Sequence, residues 1–378
     1  MKYYIIAGEA SGDLHGSNLI KEIKKLDEAA NIRCWGGDLM QANGATLVKH
    51  YRDLAFMGFA EVVMNLKTIL NNLKFCKEDI LNFQPDVLVL IDYPGFNLRI
   101  AEWAHQLKAQ GSKPKAKTVF YISPQVWAWK ESRVPKMKET IDEMIVILPF
   151  EKEYYKNKWN WDVDYVGHPL VQVVEDFKQS VAGRQPSANN IIAMLPGSRK
   201  QEIAKKLPIM LEISRHFPQY QFILAKAPGL EDAFYESFVR NYTNVSSVRN
   251  KTYQLLTEAK AALVTSGTAT LEAALFGVPE VVCYKGSNIS YQIAKRLIKI
   301  KYIALVNLIM DKPVVKELIQ SELTVKNLKQ ELSKLLFDEV KKEQLKKDYE
   351  NLKSVLSADG NASANAAKIV VDAAKSKN

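Results

Sequence analysis

The sequence predicts an α/β protein of two domains with parallel sheets, and three observations carry that prediction. Short apolar runs bounded by Gly, Pro or Asp alternate with longer stretches of helical period, the pattern of strand–helix repeats. Two such series follow one another along 378 residues, which at about 150 residues per domain is enough chain for two to three domains. Between the series, residues 178–190 gather Gly183, Pro186, Ser187, Asn189 and Asn190, a composition shift that marks a linker or hinge.

Taken in order, the first-half strands are predicted at 3–7, 86–91, 118–122 and 144–148. Those of the second half fall at 190–195, 221–224, 262–264 and 280–284, each strand running through a turn into a more polar helical segment. The Asp162-Val163-Asp164 triplet reads as a polar turn ahead of a short strand at 165–167. From about residue 323 the chain turns Lys/Glu/Leu-rich and helical, ending in a helix of small residues over 358–374.

Composition narrows the functional classes. With 47% hydrophobic and 25% charged residues the chain is neither disordered nor fibrous. Cys34, Cys76 and Cys283 are odd in number and widely spaced among apolar neighbours, which argues against a disulfide framework and against a metal cluster and fits a reducing cytoplasm. Fifty-two basic against 42 acidic residues leave +10, which favours an anionic partner. Glu9 and Asp13 interrupt the apolar start before a signal-type run forms, and no apolar run reaches the roughly 18 residues of a spanning helix. Membrane contact is therefore expected to be peripheral. Two amphipathic stretches suit it: 62–81, with Val62, Leu66, Ile69, Leu70 and Leu73 beside Lys67, Lys74 and Lys77, and 287–310, with Lys295, Arg296, Lys299 and Lys301 and no acid before Asp311. Core packing is the commoner explanation of the first, and a solvated helix face is the alternative for the second. No aromatic-plus-basic ladder favours nucleic acid.

Several turns carry chemistry. Gly8-Glu9-Ala10-Ser11-Gly12-Asp13-Leu14-His15-Gly16 follows the first strand, and its glycines allow close backbone approach to a ligand at the next helix start. A tight turn with Asp13 as helix cap and His15 exposed is the plain alternative. Asp92 ends an apolar strand, where open α/β folds gather ligands, so it is a candidate general base or else the cap of a helix near 97–106. In Ser123-Pro124-Gln125-Val126-Trp127-Ala128-Trp129-Lys130, tryptophans beside cations line a sugar or acyl site, or pack under a loop. Arg199 in Leu195-Pro196-Gly197-Ser198-Arg199 has the fork geometry that grips phosphate, with a surface salt bridge as alternative. Thr265-Ser266-Gly267-Thr268-Ala269-Thr270-Leu271-Glu272 offers a hydroxyl-flanked helix start for a pyrophosphate; Glu272 is placed for ribose hydroxyls or for the helix dipole alone. His168, between Gly167 and Pro169, reads as a hinge or structural residue. The G-x-G-x-x-G fingerprint, the G-x-x-x-x-G-K-[ST] loop, the H-E-x-x-H helix and C-x-x-C are all missing from the sequence.

Together these motifs resemble one family, the lipid A disaccharide synthases, inverting glycosyltransferases of the GT-B class. The carriers are AGEASGDLHG at 7–16, GG at 36–37, MGFAEV at 57–62, IDYPGFNLRIA at 91–101, YISPQVWAWKESRV at 121–134, LPFE at 148–151, VGHPL at 166–170, LPGSRKQEI at 195–203 and TSGTATLEAALFGVP at 265–279. The resemblance implies two Rossmann-like domains with sheets facing across a cleft: 1–172 for the acceptor and lipid, 173–345 for the UDP-sugar, and C-terminal helices over 346–378 that return to the first domain. It implies transfer of a diacylated glucosamine from UDP-2,3-diacylglucosamine to the 6-hydroxyl of 2,3-diacylglucosamine 1-phosphate (lipid X). The products are a β-1,6-linked lipid A disaccharide 1-phosphate and UDP.

Carried over residue by residue, Asp92, Arg199 and Glu9 become the catalytic candidates. Arg199, Ser198, Ser266, Gly267, Thr268, Glu272 and Asn307 form the donor side, and Gly8, Ser11, Gly12, His15, Met57, Gly58, Gln125, Trp127 and Arg133 the acceptor and lipid side. Two departures stand out: Gly95 replaces the second Asp of I-D-x-P-D-F-N, and Ala304-Leu305-Val306-Asn307 lacks the Ser and Pro of S-L-P-N. The expected enzyme needs no metal or cofactor, sits peripherally on the cytoplasmic face of the inner membrane of a Gram-negative cell, binds no nucleic acid and leaves a homodimer open. The competing readings are another UDP-sugar enzyme of this fold, such as a UDP-GlcNAc 2-epimerase or a peptidoglycan-type N-acetylglucosaminyltransferase, and a peripheral lipid or nucleotide carrier without chemistry.

Overall fold

The computed structural model describes residues 1–54, 66–183, 190–227, 229–286, 301–357 and 360–376. The chain forms two compact units, 1–169 with 356–378 and 170–355. In the first, seven parallel strands lie in the order β3-β2-β1-β4-β5-β6-β7. They are β1 Lys2–Ala7, β2 Asn31–Gly36, β3 Thr46–His50, β4 Val87–Ile91, β5 Lys117–Tyr121, β6 Glu143–Val146 and β7 Asp164–Tyr165. In the second, six parallel strands run β10-β9-β8-β11-β12-β13, from β8 Ile191–Leu195, β9 Gln221–Lys226, β10 Val245–Arg249, β11 Ala259–Val264, β12 Glu280–Tyr284 and β13 Lys316–Ile319. Both are the doubly wound order in which strands are added to one side of the first and then to the other.

Central strands read as continuous apolar runs because helices cover both faces of a parallel sheet. β4, Val-Leu-Val-Leu-Ile, and β8, Ile-Ile-Ala-Met-Leu, are buried at every position. One group of large core residues pairs its polar atoms in a chain: Trp35 Nε1 donates to the Tyr4 hydroxyl at 2.9 Å, which donates to Asp79 at 2.6 Å, and Arg33 closes the chain on Asp79 at 2.9 Å. All three cysteines are buried and free.

The junction between the units falls at Pro169/Leu170, not in the Gly/Ser/Asn-rich stretch 178–190. The helix Leu170–Ser180 already belongs to the second unit: Phe177 packs edge-on to Tyr253 and Phe276, and the Lys178 ammonium donates to the Leu275 carbonyl at 2.7 Å. Likewise the second unit extends to Val355 rather than 345, since the helix Glu339–Ser357 is tied into it by Lys312–Asp348 and by Lys353–Glu175 at 2.9 Å. The chain then returns to the first unit, where the His168 N–H donates to the Leu356 carbonyl at 2.8 Å and the helix Ala362–Lys375 packs on the helix Ala10–Leu26. Asp164 begins β7 instead of ending a turn, while Asp162 pairs with Lys156 at 2.6 Å.

Candidate active site

Strand order reverses at β1/β4 in the first unit and at β8/β11 in the second, and ligands of open α/β sheets gather outside the carboxyl ends of strands at such a reversal. The sequence candidates lie at these two places.

In the first unit, β1 leads into Gly8-Glu9 and β4 into Asp92-Tyr93. Asp92 and Tyr93 have φ of 43° and 49°, the left-handed region, at a cost of about 1–3 kcal/mol each. The surroundings hold them there. The Asp92 N–H donates to the Tyr121 carbonyl at 3.0 Å, and the buried Asn97 amide donates to the carbonyls of Asp92 at 2.7 Å and Ile91 at 3.1 Å. Gly8 fits because the Tyr93 ring lies against it: a Cβ on Gly8 would stand 2.3 Å from that ring. Asp92 does not cap the helix Pro94–Ala109, whose N-cap is Tyr93 and which no side chain caps. Burial first, and the charge of Glu9 second, push the Asp92 carboxyl up to about 6. Glu9 is exposed at the start of the helix Ala10–Leu26.

The other first-unit candidates divide. Ser11 is exposed in the first helical turn, and Gly12 packs on Ala7, where a Cβ would come to 3.0 Å. His15 is buried instead of exposed, and burial lowers it to about 4, so it is neutral at physiological pH. Asp13 does not cap its own helix. It accepts from the backbone N–H groups of Gly37 at 2.8 Å, Leu39 at 3.2 Å and Met40 at 3.0 Å, fixing the start of the helix Asp38–Ala42. Past β5, Gln125 is exposed, Arg133 is half-buried and Trp127 is pinned by its Nε1 donating to Glu151 at 3.1 Å. Met57 and Gly58 lie outside the described residues.

Sequence reasoning missed Glu151. It is buried, accepts from the Leu148 N–H at 3.0 Å as well as from Trp127, and burial pushes it up to about 8, with Asp92 among the lesser causes. Its position three residues after Leu148 reads as an ordinary helix-start carboxylate, which conceals the Trp127 contact.

In the second unit, β8 ends in Pro196-Gly197-Ser198-Arg199. Gly197 has φ of 99°, and a Cβ there would meet the Thr265 methyl at 3.0 Å, so the two turns at the reversal touch. Ser198 is exposed; the Arg199 side chain is 72% exposed and pairs with Glu202 at 3.2 Å, the salt bridge of the plain reading. β11 ends in Thr265-Ser266-Gly267, and Thr268 starts the helix Thr268–Phe276.

The hydroxyls there are not all open to a ligand. Ser266 donates to the Ile303 carbonyl at 2.6 Å, Thr270 donates to the Gly267 carbonyl at 2.8 Å, and Thr265 accepts from the buried Lys206. The Thr268 side chain remains at the surface, whereas Thr270 is buried and its N–H donates to the Gly267 carbonyl at 3.1 Å. Glu272 accepts from the Tyr253 hydroxyl at 3.1 Å, and burial raises its carboxyl.

Asn307, expected beside the donor, is committed to the fold. Its amide donates to the Val315 carbonyl at 2.9 Å and to Glu317 at 3.0 Å, and its oxygen accepts from the Val315 N–H at 2.9 Å. Among the described residues no group of three or more His, Cys, Asp and Glu could hold a metal ion, and no helix is long and apolar enough to cross a membrane.

Comparison with known proteins joins these observations. The family model described as lipid-A-disaccharide synthetase matches residues 3–371. The chain is 37% identical to the lipid-A-disaccharide synthase of Geobacter metallireducens over 94% of its length and 93% of that protein's. Against that of Syntrophus aciditrophicus it is 36% identical over 95% and 94%. Among solved structures it resembles the UDP-GlcNAc 2-epimerase of Methanocaldococcus jannaschii in complex with UDP-GlcNAc and UDP, with a TM-score of 0.66 at 12% identity over 98% of this chain and 100% of that one. The calicheamicin glycosyltransferase CalG4 matches with a TM-score of 0.61 at 16% identity, over 98% and 97%. At such identities the structural likeness concerns the fold alone.

Proposed function

The chain belongs to the lipid-A-disaccharide synthetase family, and from that premise we propose how its residues divide the reaction. The enzyme is a glycosyltransferase that makes the lipid A disaccharide. The observation that carries this reading is a family match running almost end to end, from residue 3 to residue 371, over a chain whose two strand-order reversals hold the motif residues. Our proposal for the substrates is UDP-2,3-diacylglucosamine as donor and 2,3-diacylglucosamine 1-phosphate as acceptor.

The acceptor's 6-hydroxyl is a poor nucleophile until it loses its proton. Asp92, half-buried at a strand end and free of any capping duty, takes that proton as the oxygen attacks the anomeric carbon. The bond from that carbon to the diphosphate oxygen breaks in the same displacement, inverting an α linkage to β, and UDP leaves with the electron pair. Arg199 and the N–H groups at Thr268 stabilise the charge that builds on the leaving diphosphate. Glu272, one oxygen already engaged by Tyr253, holds the ribose hydroxyls with the other. Glu9 acts on Asp92 through its charge. Asn307 acts at one remove: with Glu317, which also accepts from the Ile303 and Ala304 N–H groups at 3.1 and 2.9 Å, it fixes the segment whose Ile303 carbonyl anchors Ser266.

Ser11, Gln125 and Arg133 line the acceptor side, with Trp127 held in place by Glu151; His15 contributes neutral packing. The acyl chains bring the enzyme to the cytoplasmic membrane surface, where its +10 charge meets anionic lipid.

Mass spectrometry of products from the defined donor and acceptor tests the proposal. A disaccharide 1-phosphate plus UDP, formed equally well in the presence of chelator, is expected. A free epimer of the donor sugar, or unaltered substrates, would refute it.

A further inference from the structure

Lys206 has no place in the reaction as described, yet its position is unusual. It lies on the helix Lys200–Glu212 with its side chain 1% exposed, and an ammonium is costly to bury without strong partners. Among the described residues its ammonium donates to the Thr265 hydroxyl oxygen and stands 3.7 Å from Glu202. Glu202 also faces Arg199 at 3.2 Å, so one carboxylate serves two cations and a positive charge is left over. The spacing i, i+3, i+7 puts Arg199, Glu202 and Lys206 along one helix face. Thr265 sits where the turn after β8 and the turn after β11 touch, its methyl against Gly197.

A hydroxyl has one proton to give and lone pairs to receive. Because Lys206 occupies an accepting position on Thr265 Oγ1, the Thr265 proton is left to be donated elsewhere, and the adjacent ammonium makes it a stronger donor. An anion at the two turns would receive that proton and balance the excess charge.

We infer that Lys206 is a positioning residue for the diphosphate of the sugar nucleotide, acting through Thr265, whose hydroxyl it turns into an obligate donor toward a phosphate oxygen. This rests on the reading that the second unit binds the UDP-sugar. No bond is made or broken by the pair. Its contribution is to phosphate recognition and is absent for a ligand without phosphate.

The test is calorimetric titration of the full-length protein with UDP and, separately, with uridine. Lys206→Met keeps the length of the side chain and removes the charge; Thr265→Val keeps the shape and removes the hydroxyl. Each is expected to weaken UDP roughly tenfold or more, the effect of losing a hydrogen bond to a charged group, while uridine binding stays within about twofold. Thr265→Ser is expected to restore UDP affinity, and the double variant to lose no more than either single one.

Wild-type protein that fails to bind UDP would sink the functional reading itself. Wild-type binding with unchanged UDP affinity in Thr265→Val, or equal losses for UDP and uridine, would overturn this inference alone. Thr265→Val, the milder change, separates these outcomes even where Lys206→Met does not fold.

Discussion

A general base must be deprotonated before turnover and must gain from accepting a proton during it, so its affinity for protons sets the acid side of the rate profile. Burial and Glu9 both disfavour the Asp92 carboxylate, which places that limb at about pH 6: activity rises through that value and levels above it. Asp92→Asn is expected to lower kcat by about a hundredfold or more with little change in KM. Glu9→Gln removes one neighbouring negative charge and should move the limb to lower pH, as read from kcat/KM across pH 4.5–8; a limb that stays or climbs would show that Glu9 is not the charge Asp92 feels. Glu280 poses the complementary case. It is fully buried at the start of β12 and neither carboxyl oxygen has a hydrogen-bond partner among the described residues, so burial pushes it well up and it keeps its proton. The unfolded chain releases that proton near pH 4.5. Between that value and the higher folded one the native state binds more protons, so its contribution to stability, fully present below 4.5, is lost as pH rises. Glu280→Gln removes this loss. Its stability relative to wild type should rise as pH climbs above 4.5, by up to about 1.4 kcal/mol per pH unit, read as a widening difference in melting temperature; a difference that is flat or falling would contradict the sign.

Elements differ in what the sequence reveals of them. β1, β4, β5, β8, β11 and β12 are legible because they lie inside parallel sheets and read as apolar runs. β2, β3, β10 and β13 escaped because polar residues with structural duties interrupt their patterns. Arg33 in β2 reaches Asp79, Arg249 in β10 pairs with Asp232 at 2.8 Å, and Glu317 in β13 anchors residues 303–307. The candidate site was legible for the same reason at Asp92 and Arg199, which lie in the turns that follow such runs. It was not legible at Glu151 and Lys206, whose partners Trp127 and Thr265 are distant in sequence. The helix Leu66–Phe83 shows both faces of the problem. Its Leu73, Cys76 and Ile80 form the core stripe, whereas Leu70, 53% exposed, Leu81, Lys67 and Lys74 form a second stripe at the surface, interrupted by one acid, Glu78, 3.9 Å from Lys74. Apolar and basic residues on one face suit an anionic bilayer. Leu70→Glu should lower co-sedimentation with vesicles containing phosphatidylglycerol several-fold and leave the melting temperature unchanged; undiminished binding would assign the contact to another surface. Most of the second amphipathic stretch, 287–300, lies outside the described residues; Lys301, beyond it, pairs with Asp311 at 3.0 Å.

At the scale of the whole molecule, the two units have different relations to chain order. The second is one continuous segment, 170–355, whereas the first is completed only when the chain returns at Leu356. The returning helix Ala362–Lys375 buries Ala362, Ala366, Ala367, Val370, Val371 and Ala373, and it packs on the helix Ala10–Leu26, whose first turn adjoins Glu9 and Asp92. Without it the first unit exposes the apolar face of the helix Ala10–Leu26 and the parts of β4, β5 and β6 that the returning helix covers. At about 1.5–3 kcal/mol for each large side chain uncovered, that is comparable to the whole margin of a domain. The segment 170–355 is therefore expected to unfold cooperatively when expressed alone, and the fragment 1–169 is not. The remedy follows from one hydrogen bond: the His168 N–H lies 2.8 Å from the Leu356 carbonyl, so the two ends of the first unit are adjacent and a short Gly/Ser linker can join residue 169 to residue 356. That fusion should recover a cooperative thermal transition by circular dichroism. Were 1–169 alone to melt as sharply as the fusion, the C-terminal helix would be an accessory to the first unit rather than part of its core, and the position of Asp92 at the sheet end would not depend on it.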